Sequence, residues 1–498
     1  MDHLPMRSDG AKTKRPRVNA SARLFSHLLT LALLGVVFGG GCSSSQPSGA
    51  DAENGADEEA AVKKKKPDYE IGPVKPLLSE TIVVADSGDP LLLAKPGHWT
   101  STVQTMRANY DDLDANNALE LLTSSGKARP LSNTPFLLEA RRPAVLAKGR
   151  PKRVTGELYL PQEQKRMINV RSQFDVRGSG RTIRPGEPGY EKELPWLSMP
   201  SYQYFLLVFA AEPDRYAFLK LTDAIRMPWE DDSGANAEHY RVVLADSDGS
   251  LPAPASALNL TSVAYLVWDG VDVERLDEQQ RRAIVDWVYW GGRLIVNGPD
   301  SLPALRGSFL DDLIPVTMGE SIAIDDERLE ALNEKWSHRD EGDPVKPVRA
   351  TRPWSGVSLI PKDEQRDREL DGTGGLFFER AVGAGSVVVS AFQLAERDFV
   401  NWKGFDGFLN GALLRRPARQ YQPGPYVGLR VAWSGVDEMH RLNAYFTTPL
   451  RWMARDVGTT AGYRRDAAQS QAMNYGRSPM WDATPTVVAD RPGGLGSW

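Results

Sequence analysis

Polar side chains follow two apolar runs, at the kind of place where parallel sheets bind their ligands. Trp268, Asp269 and Gly270 close one run, and a second run ends in Asn297-Gly298-Pro299-Asp300. Loops after the carboxyl ends of adjacent parallel strands project to the same side of a sheet, so these residues are expected to face one crevice. The indole of Trp268 would supply stacking area. The predicted ligand crevice consists of Trp268, Asp269, Gly270, Asn297, Gly298 and Asp300.

The same region offers carboxylates for acid–base chemistry. Asp269, Asp272 and Asp300 are candidates for general acid and base if the chain is a hydrolase. The sequence places no His near either loop, and Ser301 lacks the Gly-x-Ser-x-Gly pattern of a nucleophile elbow. We therefore predict no catalytic residue and favour binding over turnover, with the hydrolase as an alternative.

Metal and cofactor chemistry is not expected from the sequence. It has no His-x-x-x-His or His-Glu-x-x-His spacing, and Gly383-Ala384-Gly385 precedes a strand, whereas a dinucleotide fingerprint follows one. Asp246-Ser247-Asp248-Gly249 resembles the start of a calcium loop, but Ala257 stands where that loop needs its Glu. We predict no metal site and no cofactor.

The lone cysteine, Cys42, follows a basic stretch, an apolar run over 28–38 and three glycines. The apolar run is too short to cross ~30 Å of hydrocarbon and suits the central region of a signal peptide. The arrangement resembles a bacterial lipoprotein signal peptide, in which cleavage before the cysteine exposes a thiol that carries diacylglycerol. We expect residues 1–41 to be a signal peptide and Cys42 to be the lipidation site. The chain would then be lipid-anchored in a bacterial cell envelope, on the periplasmic face.

The composition is that of a globular protein. Of 498 residues, 41% are hydrophobic and 25% are charged, and the net charge is −5. A mildly acidic chain does not suit nucleic acid, because phosphates are bound by basic surfaces. The expected partners are instead the membrane, through the lipid on Cys42, and an envelope protein or glycan.

Composition and periodicity divide the first and last parts of the chain. Residues 42–75 are rich in small and charged side chains, which predicts a disordered tether. Alternating apolar and polar residues, as in 154–160, predict a β-rich, sandwich-like domain over 76–200. Residues 418–498 are rich in Gly, Arg, Ala and Ser and are expected to be loosely ordered, above all from Val457 onward.

Strands and helices alternate over 201–417. Apolar runs at 204–209 and 263–268 predict buried strands. Asp277 and Gln280 form a capping box that predicts a helix, which Gly291-Gly292 ends before another strand. This alternation predicts a mostly parallel, Rossmann-like sheet flanked by helices. The expected fold class is therefore α/β plus all-β, with a small β-sandwich followed by the α/β domain.

Part of the α/β domain resembles a known superfamily. The resemblance is carried by Tyr265-Leu266-Val267-Trp268-Asp269-Gly270, Leu276-Asp277-Glu278-Gln279, Trp287-Val288 and Gly291-Gly292-Arg293-Leu294-Ile295-Val296-Asn297-Gly298. These stretches resemble the class I glutamine amidotransferase-like superfamily, in the form found in bacterial envelope proteins. Catalytic members use a cysteine on a tight strand-to-helix turn, with a His and a carboxylate as partners. The turn here reads Asn297-Gly298-Pro299-Asp300-Ser301, so the resemblance implies the fold without the glutaminase reaction.

These features predict a membrane-anchored envelope lipoprotein. Its amidotransferase-like domain, residues 201–417, would be non-catalytic and would act as a binding or assembly module. The alternatives are a hydrolase that uses the strand-end carboxylates and a structural spacer without a ligand.

Overall fold

The computed structural model describes residues 66–83, 90–131, 136–161, 167–200, 203–222, 225, 240–244, 251–337, 346–415, 419–423 and 429–433. All of them belong to one compact unit that begins at Lys65. The predicted signal peptide, Cys42 and most of the predicted tether lie outside the described residues. The stretch from Val457 that was expected to be loosely ordered also lies outside them.

Strands are the only regular elements among the described residues of the first part, 66–200. They are β1 (Tyr69–Ile71), β2 (Lys75–Pro76), β3 (Thr81–Val83), β4 (Pro90–Ala94), β5 (Trp99–Ala108), β6 (Leu113–Leu122), β7 (Glu139–Leu146), β8 (Pro151–Tyr159), β9 (Met167–Val176), β10 (Thr182–Ile183) and β11 (Trp196–Ser198). In one sheet, β5 pairs with β1 and β2 on one edge and with β8 on the other, always antiparallel. A second sheet has the order β3-β4-β11-β9-β6-β7, and β10 pairs with β9. The strand-rich character expected of 76–200 is present, and the sandwich-like domain with those bounds stays a prediction.

The two sheets share buried clusters. Met106 and Val154 of the first sheet lie in one cluster with Phe174 of the second. Leu158 of the first sheet lies in another cluster with Trp196 of the second. Because side chains alternate along a strand, each sheet turns one apolar face toward the other.

Ordered structure begins earlier than the sequence predicted. β1 pairs with the end of β5, and Tyr69, Ile71 and Val74 are buried. The expectation of a disordered tether over 42–75 is therefore wrong for residues 66–75. A few apolar side chains are enough to hold such a short stretch once β5 supplies hydrogen-bonding partners, and composition does not reveal those partners.

A seven-stranded sheet dominates the second part. The remaining strands are β12 (Tyr204–Ala210), β13 (Tyr240–Leu244), β14 (Val263–Asp269), β15 (Arg293–Asn297), β16 (Val316–Ile324), β17 (Trp354–Pro361), β18 (Asp367–Glu369), β19 (Phe377–Val382), β20 (Gly385–Ser390), β21 (Arg419–Pro423) and β22 (Leu429–Trp433). The large sheet has the order β13-β12-β14-β15-β20-β19-β18. Its first five strands are parallel, and β19 and β18 are added antiparallel. β16 and β17 form an antiparallel pair of their own.

The parallel strands are buried on both faces. Every residue of β12 and β14 is buried, as their unbroken apolar runs predicted. Leu206 and Val208 lie in a cluster on one face of the sheet. Phe205 and Leu207 lie in a separate cluster on the other face, which also contains Trp287.

Five α-helices lie within the described residues. They are α1 (Glu278–Tyr289), α2 (Gly298–Leu305), α3 (Glu330–Trp336), α4 (Arg397–Val400) and α5 (Phe405–Phe408). The predicted capping box starts α1: Asp277 Oδ1 accepts from the Gln280 backbone N–H at 2.9 Å, and the Asp277 backbone N–H donates to Gln280 Oε1 at 2.9 Å. None of the helices in the described part of the chain combines the length and apolarity that crossing a bilayer requires.

The fold is thus mixed and strand-rich, with several sheets, one of them partly parallel. The boundary at residue 200 between the two predicted domains stays a prediction. The expectation that the whole of 418–498 is loosely ordered is wrong at its start, because β21 and β22 pair antiparallel there. Main-chain pairing of this kind leaves little trace in composition.

Candidate functional site

Four parallel strands end together at the candidate site. Asp269 is the last residue of β14, and Asn297 is the last residue of β15. Asp269 lies beside Ala210 at the end of β12, and Asn297 lies beside Ser390 at the end of β20. The sheet therefore brings Asp269 and Asn297 to one edge, as the sequence predicted.

Asp269 is the centre of a buried hydrogen-bond network. The residue is 4% exposed. Oδ1 accepts from Asn297 Nδ2 at 2.6 Å, and Oδ2 accepts from the Tyr216 hydroxyl at 3.0 Å and from Gln393 Nε2 at 3.0 Å. Three neutral donors thus satisfy the carboxylate, which is the usual condition for burying one without a cation.

The network joins elements that follow different strands. Tyr216 lies in a 3₁₀ helix, Pro213–Lys220, directly after β12, and Gln393 follows β20. Asn297 Oδ1 also accepts from the Leu394 backbone N–H at 2.8 Å. Burial and the nearby carboxylate of Asp269 raise the pKa of Tyr216 well above its ordinary value, so its hydroxyl remains a donor.

Trp268 does not face this edge, which corrects the predicted stacking role. Its side chain is fully buried, and its indole packs edge-on against Phe209 and Phe309 at centroid distances of 6.0 and 6.2 Å. Successive side chains of a strand point to opposite faces, so Trp268 and Asp269 cannot both point to the same side. The indole is part of the core between the sheet and α1.

Gly270 and Gly298 allow backbone conformations at this edge that a side chain would prevent. Gly270 has a φ of 61°, in the left-handed region that favours glycine. A Cβ at Gly298 would overlap the carbonyl oxygen of Ser390, so α2 can start here only without a side chain. Ser301 is buried in α2 and accepts from the Gly270 backbone N–H at 2.9 Å. Its hydroxyl stabilises the turn and is not presented to solvent.

The other carboxylates of the hydrolase interpretation do not share the burial of Asp269. Asp300 is exposed in the first turn of α2. Asp272 is also exposed, and its Oδ1 accepts from the Glu274 backbone N–H at 2.9 Å, which caps a short 3₁₀ turn. Asp269 is buried and the other two are exposed, although the carboxylate of Asp300 is near enough to help raise the pKa of Tyr216, which donates to Asp269.

Sequence reasoning missed Tyr216, Gln393 and Glu396. Gln393 was detectable, because a polar residue just after a predicted last strand follows the same rule that singled out Asp269. Glu396 precedes α4 and is half-buried. Burial raises its pKa, while the guanidinium groups of Arg352 and Arg215 act in the opposite direction. A half-buried carboxyl group with a raised pKa has surroundings that suit a catalytic acid.

Metal-binding geometry is not found in the described part of the chain, where no group of three or more His, Cys, Asp and Glu side chains could hold an ion. His98 is the one histidine within it, far from this edge in a buried contact with Thr261.

Comparisons with known proteins leave the family open. No protein-family model matches the chain, and no curated protein matches it. Among solved structures, a cytoplasmic protein from Salmonella typhimurium is 13% identical over 36% of this chain and 82% of its own, with a TM-score of 0.26. An exo-β-1,4-mannosidase from Opitutaceae bacterium strain TAV5 is 16% identical over 40% of this chain and 32% of its own, with a TM-score of 0.24.

A third structure, a protein described as ThuA-like from Parabacteroides merdae, is 12% identical over 47% of this chain and 98% of its own, with a TM-score of 0.26. At these TM-scores the likenesses transfer neither a fold nor a function.

Proposed function

We propose that the chain is a lipid-anchored protein of a bacterial envelope whose α/β region acts as a non-catalytic binding or assembly module. In this proposal the region 201–417 is a domain with the amidotransferase-like fold that does not catalyse the glutaminase reaction. Its partner is an envelope protein or glycan. The lipid on Cys42 holds the module at the membrane surface.

The observation that carries the proposal is the way Asp269 is held. Three neutral donors engage both oxygens of its carboxylate, and the residue is almost completely buried. The position where the catalytic relatives have a cysteine is occupied here by a tight turn through Gly298, with the hydroxyl of Ser301 directed to the backbone. The buried side chains at this edge therefore stabilise the fold. Its described residues do not include a nucleophile paired with a base.

The arrangement of the large sheet supports the amidotransferase-like part of the proposal. We interpret the five parallel strands, in the order β13-β12-β14-β15-β20, as a Rossmann-like sheet. α1 connects β14 to β15, which are parallel neighbours, as the helix of a βαβ unit does.

Binding would then use the exposed part of the edge. Gly270 is half-exposed and Asp300 is exposed, and Gln393 is half-buried beside them in the network. The carboxylate of Asp300, the amide of Gln393 and the exposed backbone of Gly270 can each form hydrogen bonds. They suit a partner with several hydrogen-bonding groups, such as a glycan or a polypeptide main chain.

An envelope hydrolase is the second candidate, and Glu396 is the observation that favours it. A half-buried carboxyl group with a raised pKa at a strand-end edge is the usual surrounding of a general acid. The variant Glu396→Gln separates the two proposals. Hydrolysis of an envelope polymer that is abolished by Glu396→Gln would establish the enzyme and end the non-catalytic proposal.

The direct test of the proposal is a turnover assay on the purified full chain. Release of ammonia from glutamine and of soluble fragments from peptidoglycan should both equal the blank without protein. The matched preparation of Asp269→Asn should give the same result. A wild-type rate above the blank that this variant loses would contradict the proposal.

The anchor is tested separately with Cys42→Ser. We expect the wild-type chain to sediment with membranes and the variant to be released, because two or more acyl chains provide stable anchoring at about 0.8 kcal/mol per buried CH₂. Ser43→Ala is the matched control and should stay with the membrane. A Cys42→Ser chain that is still membrane-bound after its N-terminus has been cleaved would show that lipidation is not the anchor.

A further inference from the structure

A groove of ligand size lies in the strand-rich part, remote from the edge described above. Its volume is about 640 Å³, and it lies where β4, β6 and β9 meet the segment before β11. Leu91, Leu122 and Leu194 form apolar walls together with three prolines, Pro90, Pro185 and Pro195. Pockets of this size and character are typical of small-molecule sites.

Two cationic side chains line the same groove. Arg171 donates from Nη2 to Glu120 at 2.5 Å, and its side chain remains 30% exposed. A guanidinium has five N–H donors, so this single bond leaves most of its donors unused. Lys192 is exposed, and its ammonium has no ion pair within the described residues.

One acidic side chain, Glu193, is among the described residues that line the groove. Glu193 turns inward: Oε2 accepts from the Val74 backbone N–H at 2.9 Å, and Oε1 accepts from the Tyr190 hydroxyl at 2.8 Å. Burial raises the pKa of Glu193, while the hydrogen bonds from Val74 and Tyr190 act in the opposite direction. The groove therefore combines apolar walls with the ammonium of Lys192 and with the unused N–H donors of Arg171, whose charge Glu120 balances.

We propose that this groove binds an amphipathic carboxylate, that is, an aliphatic body with a terminal carboxylate group. The body lies against Leu91, Leu122 and Leu194, and the carboxylate accepts hydrogen bonds from Arg171 and Lys192. A guanidinium suits a carboxylate because two of its N–H groups can donate in parallel. A medium-chain fatty acid and a polypeptide C-terminus with apolar residues share this chemistry. The site is independent of the function proposed for the strand-end edge.

The experiment is calorimetric titration of the full chain with probes that share an alkyl chain and differ in charge. Decanoate should bind, and decyltrimethylammonium should bind at least about tenfold more weakly, because its head group cannot accept the hydrogen bonds that Arg171 and Lys192 would donate. N-acetyl-Ala-Leu-Leu with a free carboxylate, compared with its amide, tests the peptide source. Tighter binding of decanoate than of the peptide acid assigns the site to fatty acids, and the reverse assigns it to polypeptide C-termini.

Variants locate the site. Lys192→Gln removes a charge that forms no ion pair within the described residues. The affinity for decanoate should fall about two- to fivefold, which is the range expected for an exposed ion pair. Ser124→Trp, on an exposed turn at the groove, should abolish binding by filling it. Arg177→Gln is the control: it removes an exposed guanidinium directly after β9, outside the groove lining, and should leave decanoate binding unchanged. Equal affinity for the two head groups, unchanged binding by Ser124→Trp, or no heat with any carboxylate would overturn the proposal.

Discussion

At the scale of single residues, neighbours along the chain have opposite roles. Trp268 and Asp269 are adjacent in β14, yet one fills an apolar core and the other centres a polar network. The alternation of a strand makes this necessary. The sequence analysis placed both residues in the predicted ligand crevice. Which of them can contact a ligand depends on the face of the sheet to which each side chain points.

Trp268→Ala is therefore expected to act on stability. Removing a fully buried indole leaves a cavity and should lower the free energy of unfolding by about 3–5 kcal/mol. Urea denaturation of the variant measures the loss. Phe136→Ala, at a side chain that is 67% exposed, is the matched control and should leave the unfolding midpoint nearly unchanged. A Trp268→Ala protein as stable as the control would contradict the assigned packing.

His98 makes stability depend on pH. It is buried, its Nδ1 lies 3.0 Å from Thr261 Oγ1, and burial lowers its pKa well below 6.5, with the nearby ammonium of Lys95 acting in the same direction. The unfolded chain takes up a proton at this histidine near pH 6.5, and the folded chain resists it. The unfolded state therefore binds more protons on acidification, and stability falls as the pH drops below about 6.5.

The measurement is the free energy of unfolding of the wild type and of His98→Gln at about pH 7.5 and about pH 5.5. The wild type should lose about 1 kcal/mol more than the variant between these two values. Comparison with the variant removes the contribution of carboxyl groups, some of which have raised pKa values and act in the opposite direction. Equal losses in the two proteins would show that His98 titrates normally.

At the scale of elements, a buried ion pair fastens the chain that follows the last parallel strand. Arg293, at the start of β15, contacts Glu379 of β19 and donates to Ser386 Oγ at 2.7 Å and to the Ala412 carbonyl oxygen at 3.0 Å. Arg415 contacts the same carboxylate. One guanidinium thus holds three segments that are distant in the sequence.

Glu379→Gln should be costly because it leaves a buried guanidinium without its counter-charge. Breaking a buried pair from one side costs about 3–5 kcal/mol, and burial already lowers the pKa of Arg293. Glu274→Gln removes a carboxylate that pairs with Arg281 at 75% exposure, and it should have little effect. Urea denaturation of both variants decides the matter: a loss below about 1 kcal/mol for Glu379→Gln would mean that the pair contributes little.

The elements differ in how far the sequence predicts them. α1 was predictable because its capping box and its apolar spacing are local signals, and the strands β12 and β14 were predictable because their apolar runs are unbroken. β1 was not, because its stability comes from pairing with β5, more than thirty residues later in the sequence. Tyr216 and Gln393 meet Asp269 only through the order of the strands, which no local pattern encodes.

At the scale of the whole molecule, the two strand-rich parts are joined by polar contacts as well as by packing. Asn259 Nδ2 donates to Glu157 at 2.8 Å, and the buried ammonium of Lys95 lies 4.2 Å from the centroid of the Tyr204 ring and donates to the Pro200 carbonyl oxygen. Contacts of this kind position the strand-end edge and the groove on one body. The proposed lipid anchor and the two proposed binding places together suit an assembly role.

The central claim is that Asp269 stabilises the fold and performs no chemistry, and its most direct test is the free energy of unfolding of Asp269→Asn. Asn at this position replaces one accepting oxygen with an NH₂ donor, which then faces the donors that bound the carboxylate. We therefore expect the free energy of unfolding to fall by about 1–3 kcal/mol. The control Asp300→Asn, at an exposed residue, should be as stable as the wild type. Active-site polar residues usually lower stability, and replacing them raises it. An Asp269→Asn protein that is as stable as the wild type, or more stable, would contradict the account.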